Sequence, residues 1–76
     1  MCDYKIRLRM AEVKEFVERA SACDFDIDVS YNHLTVDAKS ILGVLALDLK
    51  QILTVRCNGY NEDFAQYLNT KYAMAC

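Results

Sequence analysis

From Tyr4 to Met10 the chain alternates strictly, with Tyr4, Ile6, Leu8 and Met10 apolar and Lys5, Arg7 and Arg9 basic. A period of two belongs to a strand with one buried face, so this stretch predicts a strand that sends its apolar side chains to a core and its cations to water. Over 11–23 the period lengthens. Val13, Phe16, Val17 and Ala20 fall on one face of a helix, while Lys14 with Glu18 and Glu15 with Arg19 form i,i+4 pairs on the other. Alternation returns over 24–39, where Phe25, Ile27, Val29 and Tyr31 interleave with Asp24, Asp26, Asp28 and Ser30, and Leu34, Val36 and Ala38 follow after Asn32 and His33. Two alternating runs joined by an Asn-containing pair predict a hairpin.

A different pattern occupies 41–47. Ile41, Leu42, Val44, Leu45, Ala46 and Leu47 are nearly consecutive, which predicts a helix apolar around most of its circumference. Strand alternation resumes over 51–59, with Leu53, Val55 and Cys57 on one face and Thr54 and Arg56 on the other. The last element, over 59–72, reads as a helix: Asn61 suits the N-cap, Glu62 and Asp63 suit the positive first turn, and Tyr60, Phe64, Leu68 and Tyr72 recur every four residues. The order is βαββαβα. Each strand supplies one apolar side, so the expected class is α+β: a four-stranded, mainly antiparallel sheet with three helices on one face and the other face open. Lys5, Arg7 and Arg9 from one strand and Asp26, Asp28 and Asp37 from others would populate that open face, a charged surface suited to solubility.

Length allows one core. Seventy-six residues bury only about 60% of their unfolded surface, so 1–76 is expected to form a single domain. No proline, two glycines and 54% hydrophobic residues indicate an ordered chain with tight connections. A net charge of -2 opposes nucleic-acid binding, which needs a basic face. No apolar run approaches the roughly 18 residues of a membrane span, and the N-terminal decapeptide lacks a signal-peptide core; a cytoplasmic location follows as the expectation. Cys2, Cys23, Cys57 and Cys76 are 21, 34 and 19 positions apart, which excludes a C-x-x-C metal or redox pair and leaves reduced thiols, with Cys23 and Cys57 in the core. Neither a catalytic dyad nor a glycine-rich phosphate loop is present, so no enzyme activity, no cofactor and no metal site is expected.

The chemistry that remains is concentrated at the start of the apolar helix. Ser40 stands at its N-cap, where the hydroxyl can accept a bond from an otherwise unpaired amide, worth about 1 kcal/mol. A phosphate at the same place would meet the positive end of the helix dipole. A helix on one face of so small a sheet buries about half its surface, so leftover leucines imply a protein partner or self-association. Leu42 and Leu45, three positions apart, would share one face, and Gly43 would let a partner's backbone come close.

The segment Val36 to Leu49, "VDAKSILGVLALDL", resembles the region around the regulatory serine of HPr, the histidine-containing phosphocarrier of the bacterial sugar phosphotransferase system. Lys39, Ser40, Ile41, Leu42, Gly43, Val44, Leu45 and Leu47 carry the match. "RASACDFDIDVSYN", "LTVDAKS" and "CNGYNEDFAQYL" are similar to further family segments, and βαββαβα is the order of the HPr open-faced sandwich. The resemblance implies Ser40 as a phosphorylation site. It also implies a partner-binding surface of Lys39, Ser40, Leu42, Gly43 and Leu45, read by phosphotransferase-system or HPr-kinase-like proteins.

The chain departs from the family between its first strand and first helix. There the family carries a glycine, the phosphoacceptor histidine, an arginine and a proline; here "RLRMAEVKEF" has none of that histidine, glycine or proline, and Glu12 sets a negative charge where the phosphate would rest. His33, the single histidine, belongs to the hairpin turn. The expectation is therefore a regulatory or adaptor module working through the helix that begins at Ser40. An ordinary phosphocarrier and a structural homodimer without phosphate chemistry are the alternatives.

Overall fold

The structure, a computed structural model, describes residues 2–71 with the exception of the Cys2 side chain. Four strands, β1 (Cys2–Ile6), β2 (Ile27–Tyr31), β3 (Leu34–Asp37) and β4 (Leu53–Cys57), form one antiparallel sheet in the order β1-β4-β2-β3. Helices α1 (Val13–Ser21), α2 (Ile41–Leu45) and α3 (Glu62–Asn69) complete the α+β open-faced sandwich that the hydrophobic pattern predicts. The β2–β3 turn is at Asn32 and His33; Asn32 adopts φ 55°, a left-handed conformation that asparagine tolerates well.

The core comes from the positions with the expected periods. Ile6, Leu8, Ile27, Val29, Leu53 and Val55 from the sheet side meet Phe16, Ala20, Val44 and Leu68 from the helices, all essentially inaccessible to water. Cys23 and Cys57 lie in this core. Phe16 and Phe64 approach with ring centroids 6.1 Å apart, which ties α1 to α3. Gly59 lets the chain pass under Phe25, because a Cβ there would come within 2.6 Å of the ring. Among the described residues no helix is long and apolar enough to cross a membrane.

The first strand is shorter than its alternation suggests. β1 ends at Ile6, and although Leu8 still points inward, Met10 is 72% exposed and opens a 3-10 turn over Met10–Glu12 that leads into α1. Tyr60 is likewise corrected: it precedes the Asn61 cap and is exposed, and Tyr67 and Ala65 fill the buried face of α3 with Phe64 and Leu68. Leu34 is exposed at the edge strand. Tyr72 and Cys76 lie outside the described residues.

The open face has an order that pairwise alternation does not disclose. Strand register aligns Asp3, Arg56, Asp28 and Asp37 across all four strands. The Arg56 guanidinium grips Asp3 through two bonds of 2.9 and 3.0 Å, and that hydrogen bonding holds the Asp3 carboxyl below the usual carboxylate range. The neighbouring row is Lys5, Thr54, Ser30 and Thr35, in which Lys5 Nζ donates to Thr54 Oγ1 at 2.7 Å. Arg7 and Arg9, expected on this face, lie beyond the end of β1.

Candidate functional site

The start of α2 is built by its own short sequence. The Asp37 carboxylate accepts from the Lys39 amide at 2.9 Å and the Asp37 carbonyl accepts from the Ser40 amide at 3.0 Å, which turns the chain out of β3. Ser40 is extended (φ -111°, ψ 114°), and its Oγ accepts from the Gly43 amide at 3.1 Å. That is the N-cap arrangement expected at this residue. The hydroxyl stands at the surface, since Ser40 is exposed.

Beyond the cap the helix is apolar and only partly covered. Val44 is fully buried and Leu47, just past the helix, is 5% exposed, whereas Leu42 is 82%, Ile41 42% and Leu45 41% exposed. The helix thus buries one side and leaves Ile41, Leu42 and Leu45 in water, an arrangement that costs solubility unless something covers them. Ile41 joins the expected pair of leucines here; its place in the first turn beside Leu42 and Leu45 was the available signal.

Gly43 and Lys39 act within the chain. A Cβ on Gly43 would stand 3.2 Å from Val36 Cβ, so this glycine permits a close approach between α2 and β3. Lys39 reaches back 16 residues, donating from Nζ to the Cys23 carbonyl at 2.9 Å just beyond the C-terminus of α1. Its cation satisfies an otherwise unpaired carbonyl at a helix end. Lys39, Ser40 and Gly43 therefore seat α2, while Leu42 and Leu45 face outward from it.

The start of α1 is organised differently. Glu12 occupies its N-cap position, but its carboxylate accepts from Lys71 Nζ at 2.7 Å and from the Arg9 amide at 2.9 Å. The Lys71 and Arg9 bonds hold the Glu12 carboxyl below its ordinary range. The pair is largely shielded, with side-chain exposures of 17% and 19%. Lys71 is 59 residues away, so nothing local in the sequence signals this contact. His33 is exposed in the β2–β3 turn and belongs to neither helix start. Among the described residues no cluster of side chains is suited to a metal ion.

A four-stranded antiparallel sheet covered on one side by helices, with an exposed apolar helix capped by a surface serine, defines a small open-faced α+β sandwich with a candidate protein-binding face. The chain belongs to the HPr family of the phosphotransferase system: the family description "PTS HPr component phosphorylation site" matches residues 5–69. No curated protein and no solved structure matches it.

Proposed function

We propose that this HPr-family chain is a cytoplasmic regulatory or adaptor module that binds protein partners through α2, is switched by phosphorylation of Ser40, and does not carry phosphohistidine. Proteins of the family interact with phosphotransferase-system proteins, and such proteins or an HPr-kinase-like enzyme are the partners proposed here. The observation that carries the reading is the exposure of Leu42, Ile41 and Leu45 directly after a surface serine. A phosphoryl group on Ser40 Oγ would place a charge of about -1.5 to -2 beside that apolar surface and change what can dock there. Family membership alone would favour an ordinary phosphocarrier. Against it stand the Glu12 carboxylate, held by Lys71 at the start of α1, and the lack of any histidine other than His33.

The test is the intact mass after incubation with an HPr kinase and ATP. Transfer of the γ-phosphoryl group to Ser40 Oγ, with ADP released, adds one phosphate to the parent and none to Ser40→Ala. No addition to the parent removes the switch from the proposal. Leu42→Asp tests the face itself, because a side chain this exposed is expected to leave the thermal transition unchanged while partner capture is lost. Collapse of the fold in that variant would make Leu42 a core residue.

A further inference from the structure

Just past β4 stands the pair Asn58–Gly59, and of the four asparagines in the chain Asn58 alone is followed by glycine. An asparagine side chain can be attacked by the amide nitrogen of the next residue, and glycine, without a Cβ, puts nothing in the way. The fold leaves both reacting groups free. Asn58 and Gly59 are exposed, and among the described residues neither the Asn58 side-chain amide nor the Gly59 backbone amide makes a hydrogen bond. The other asparagines are held or crowded. Asn61 Oδ1 accepts from the Phe64 amide at 2.9 Å, the Thr70 amide that follows Asn69 donates to the Tyr67 carbonyl at 3.1 Å, and Asn32 is followed by the bulky His33. Glycine is also required at 59, because a Cβ there would come within 2.6 Å of the Phe25 ring, so the packing itself retains the reactive pair.

We infer that Asn58 is a site of spontaneous covalent modification, which converts it to aspartate and isoaspartate and loosens the join between β4 and α3. The Gly59 amide nitrogen gives up its proton and bonds to Asn58 Cγ, the Cγ–Nδ2 bond breaks, and ammonia leaves with that proton. Water then opens the cyclic imide at either carbonyl. One opening gives aspartate; the other gives isoaspartate, in which the main chain runs through the former side chain and is longer by a methylene. Both products add a carboxylate to a cleft already lined by Asp26, Asp28 and Asp37, whose one cation, Arg56, is engaged by Asp3. The isoaspartyl product also displaces the backbone where the Asn58 amide donates to the Asp26 carbonyl at 2.9 Å, shortly before the Asn61 cap of α3. The reading of α2 as a docking face plays no part in this inference.

The test is peptide mapping by mass spectrometry after the folded protein has stood in oxygen-18-labelled water at mildly alkaline pH. Label is expected to enter residue 58 roughly tenfold faster than Asn32, Asn61 or Asn69, because only there is the attacking amide unobstructed. A protein isoaspartyl methyltransferase with S-adenosylmethionine probes the second product. Methyl transfer to the isoaspartyl carboxylate, with S-adenosylhomocysteine released, is expected in the aged parent and is lost in Asn58→Gln. Label spread evenly over the four asparagines, or label at residue 58 only when the chain is unfolded in urea, overturns the proposal. Asn58→Asp separates charge from backbone, since it carries the added carboxylate on an ordinary main chain. Its thermal transition is expected to fall between that of the parent and that of the isoaspartyl fraction isolated by anion exchange. An isoaspartyl fraction that melts with the parent overturns the loosening of β4 from α3.

Discussion

Two helix starts in this molecule are built by opposite means. α1 is entered from the 3-10 turn, whose Met10 carbonyl accepts from the Val13 amide, whereas α2 begins with amides that no preceding helical carbonyl reaches. At α1, Glu12 stands at the cap position without bonding an amide of the helix; its sheltered carboxylate accepts from the Arg9 amide and from Lys71, 59 residues on. At α2 the neutral hydroxyl of exposed Ser40 accepts from the Gly43 amide three residues on. The first arrangement holds a paired negative charge, at neutral pH, where a helix start could otherwise attract an anion. The second leaves a nucleophilic oxygen accessible beside an apolar surface. A helix start can therefore be either closed or available, and the difference lies in whether its cap is already ionised and paired.

The sharpest way to break the comparison is to unseat α2. Gly43→Val would drive new methyl groups into Val36, and the strain is expected to cost about 2 kcal/mol, lowering the melting temperature by roughly 10 °C. An unchanged transition would mean that α2 is held far more loosely than α1. Next comes the lock at α1. Its Glu12 carboxyl is held below the ordinary 4.5, so its contribution is fully present above that pH and is lost as pH falls through the folded-state value. Glu12→Gln is thus expected to lose about 1 kcal/mol at pH 7 and to show a flatter stability profile below pH 4.5 than the parent, measured by urea denaturation across pH 2–7.

Ser40→Ala should cost about 1 kcal/mol with no acid dependence, since a hydroxyl cap carries no titrating charge. Ser40→Asp should retain the cap and the fold. A pH-dependent loss in Ser40→Ala would contradict the distinction between the two starts. Lys39→Met removes the bond to the Cys23 carbonyl, with an expected loss of about 0.5 kcal/mol at the join between α1 and α2.

Tyr67 lies beside the lock at α1, with Lys71 Nζ 5.2 Å from its ring centroid. Its hydroxyl is buried without a hydrogen-bond partner among the described residues, and burial pushes its pKa up to about 12. The raised value means that the stability tied to its neutral form is present below pH 10 and is lost as pH rises through 12. Tyr67→Phe should therefore hold or slightly improve stability at neutral pH and resist alkaline unfolding better than the parent, by circular dichroism over pH 9–12.

The elements were legible where hydrophobic period and cap chemistry agreed. Val13, Phe16, Val17 and Ala20 are the buried stripe of α1, and Asn61 Oδ1 accepts from the Phe64 amide at 2.9 Å as its place before Glu62 and Asp63 suggests. Alternation overran at Met10 because periodicity is blind to the point where the chain must leave the sheet to climb onto it. Tyr60 misled for a related reason, as a four-residue spacing continued one step past the cap. The α2 patch was visible as an excess of apolar residues over what one sheet face can bury. Illegible were the Glu12–Lys71 lock and the Asp3–Arg56–Asp28–Asp37 row, since both depend on tertiary placement: β4 inserts between β1 and β2, and no local pattern encodes that neighbour.

That same insertion governs the order in which the molecule can be made. Among the described strands β1 pairs only with β4, and the register joins residue 2 to residue 57, so β1 has no partner in this sheet until residues 53–57 have been synthesised. The β2–β3 hairpin, closed by a two-residue turn, can pair at once. Long-range closure of this kind slows folding relative to local pairing and leaves the apolar side of an early strand uncovered in the meantime. Asp3 and Lys5 place charges on the other side of that strand, a feature that opposes edge-to-edge pairing between chains.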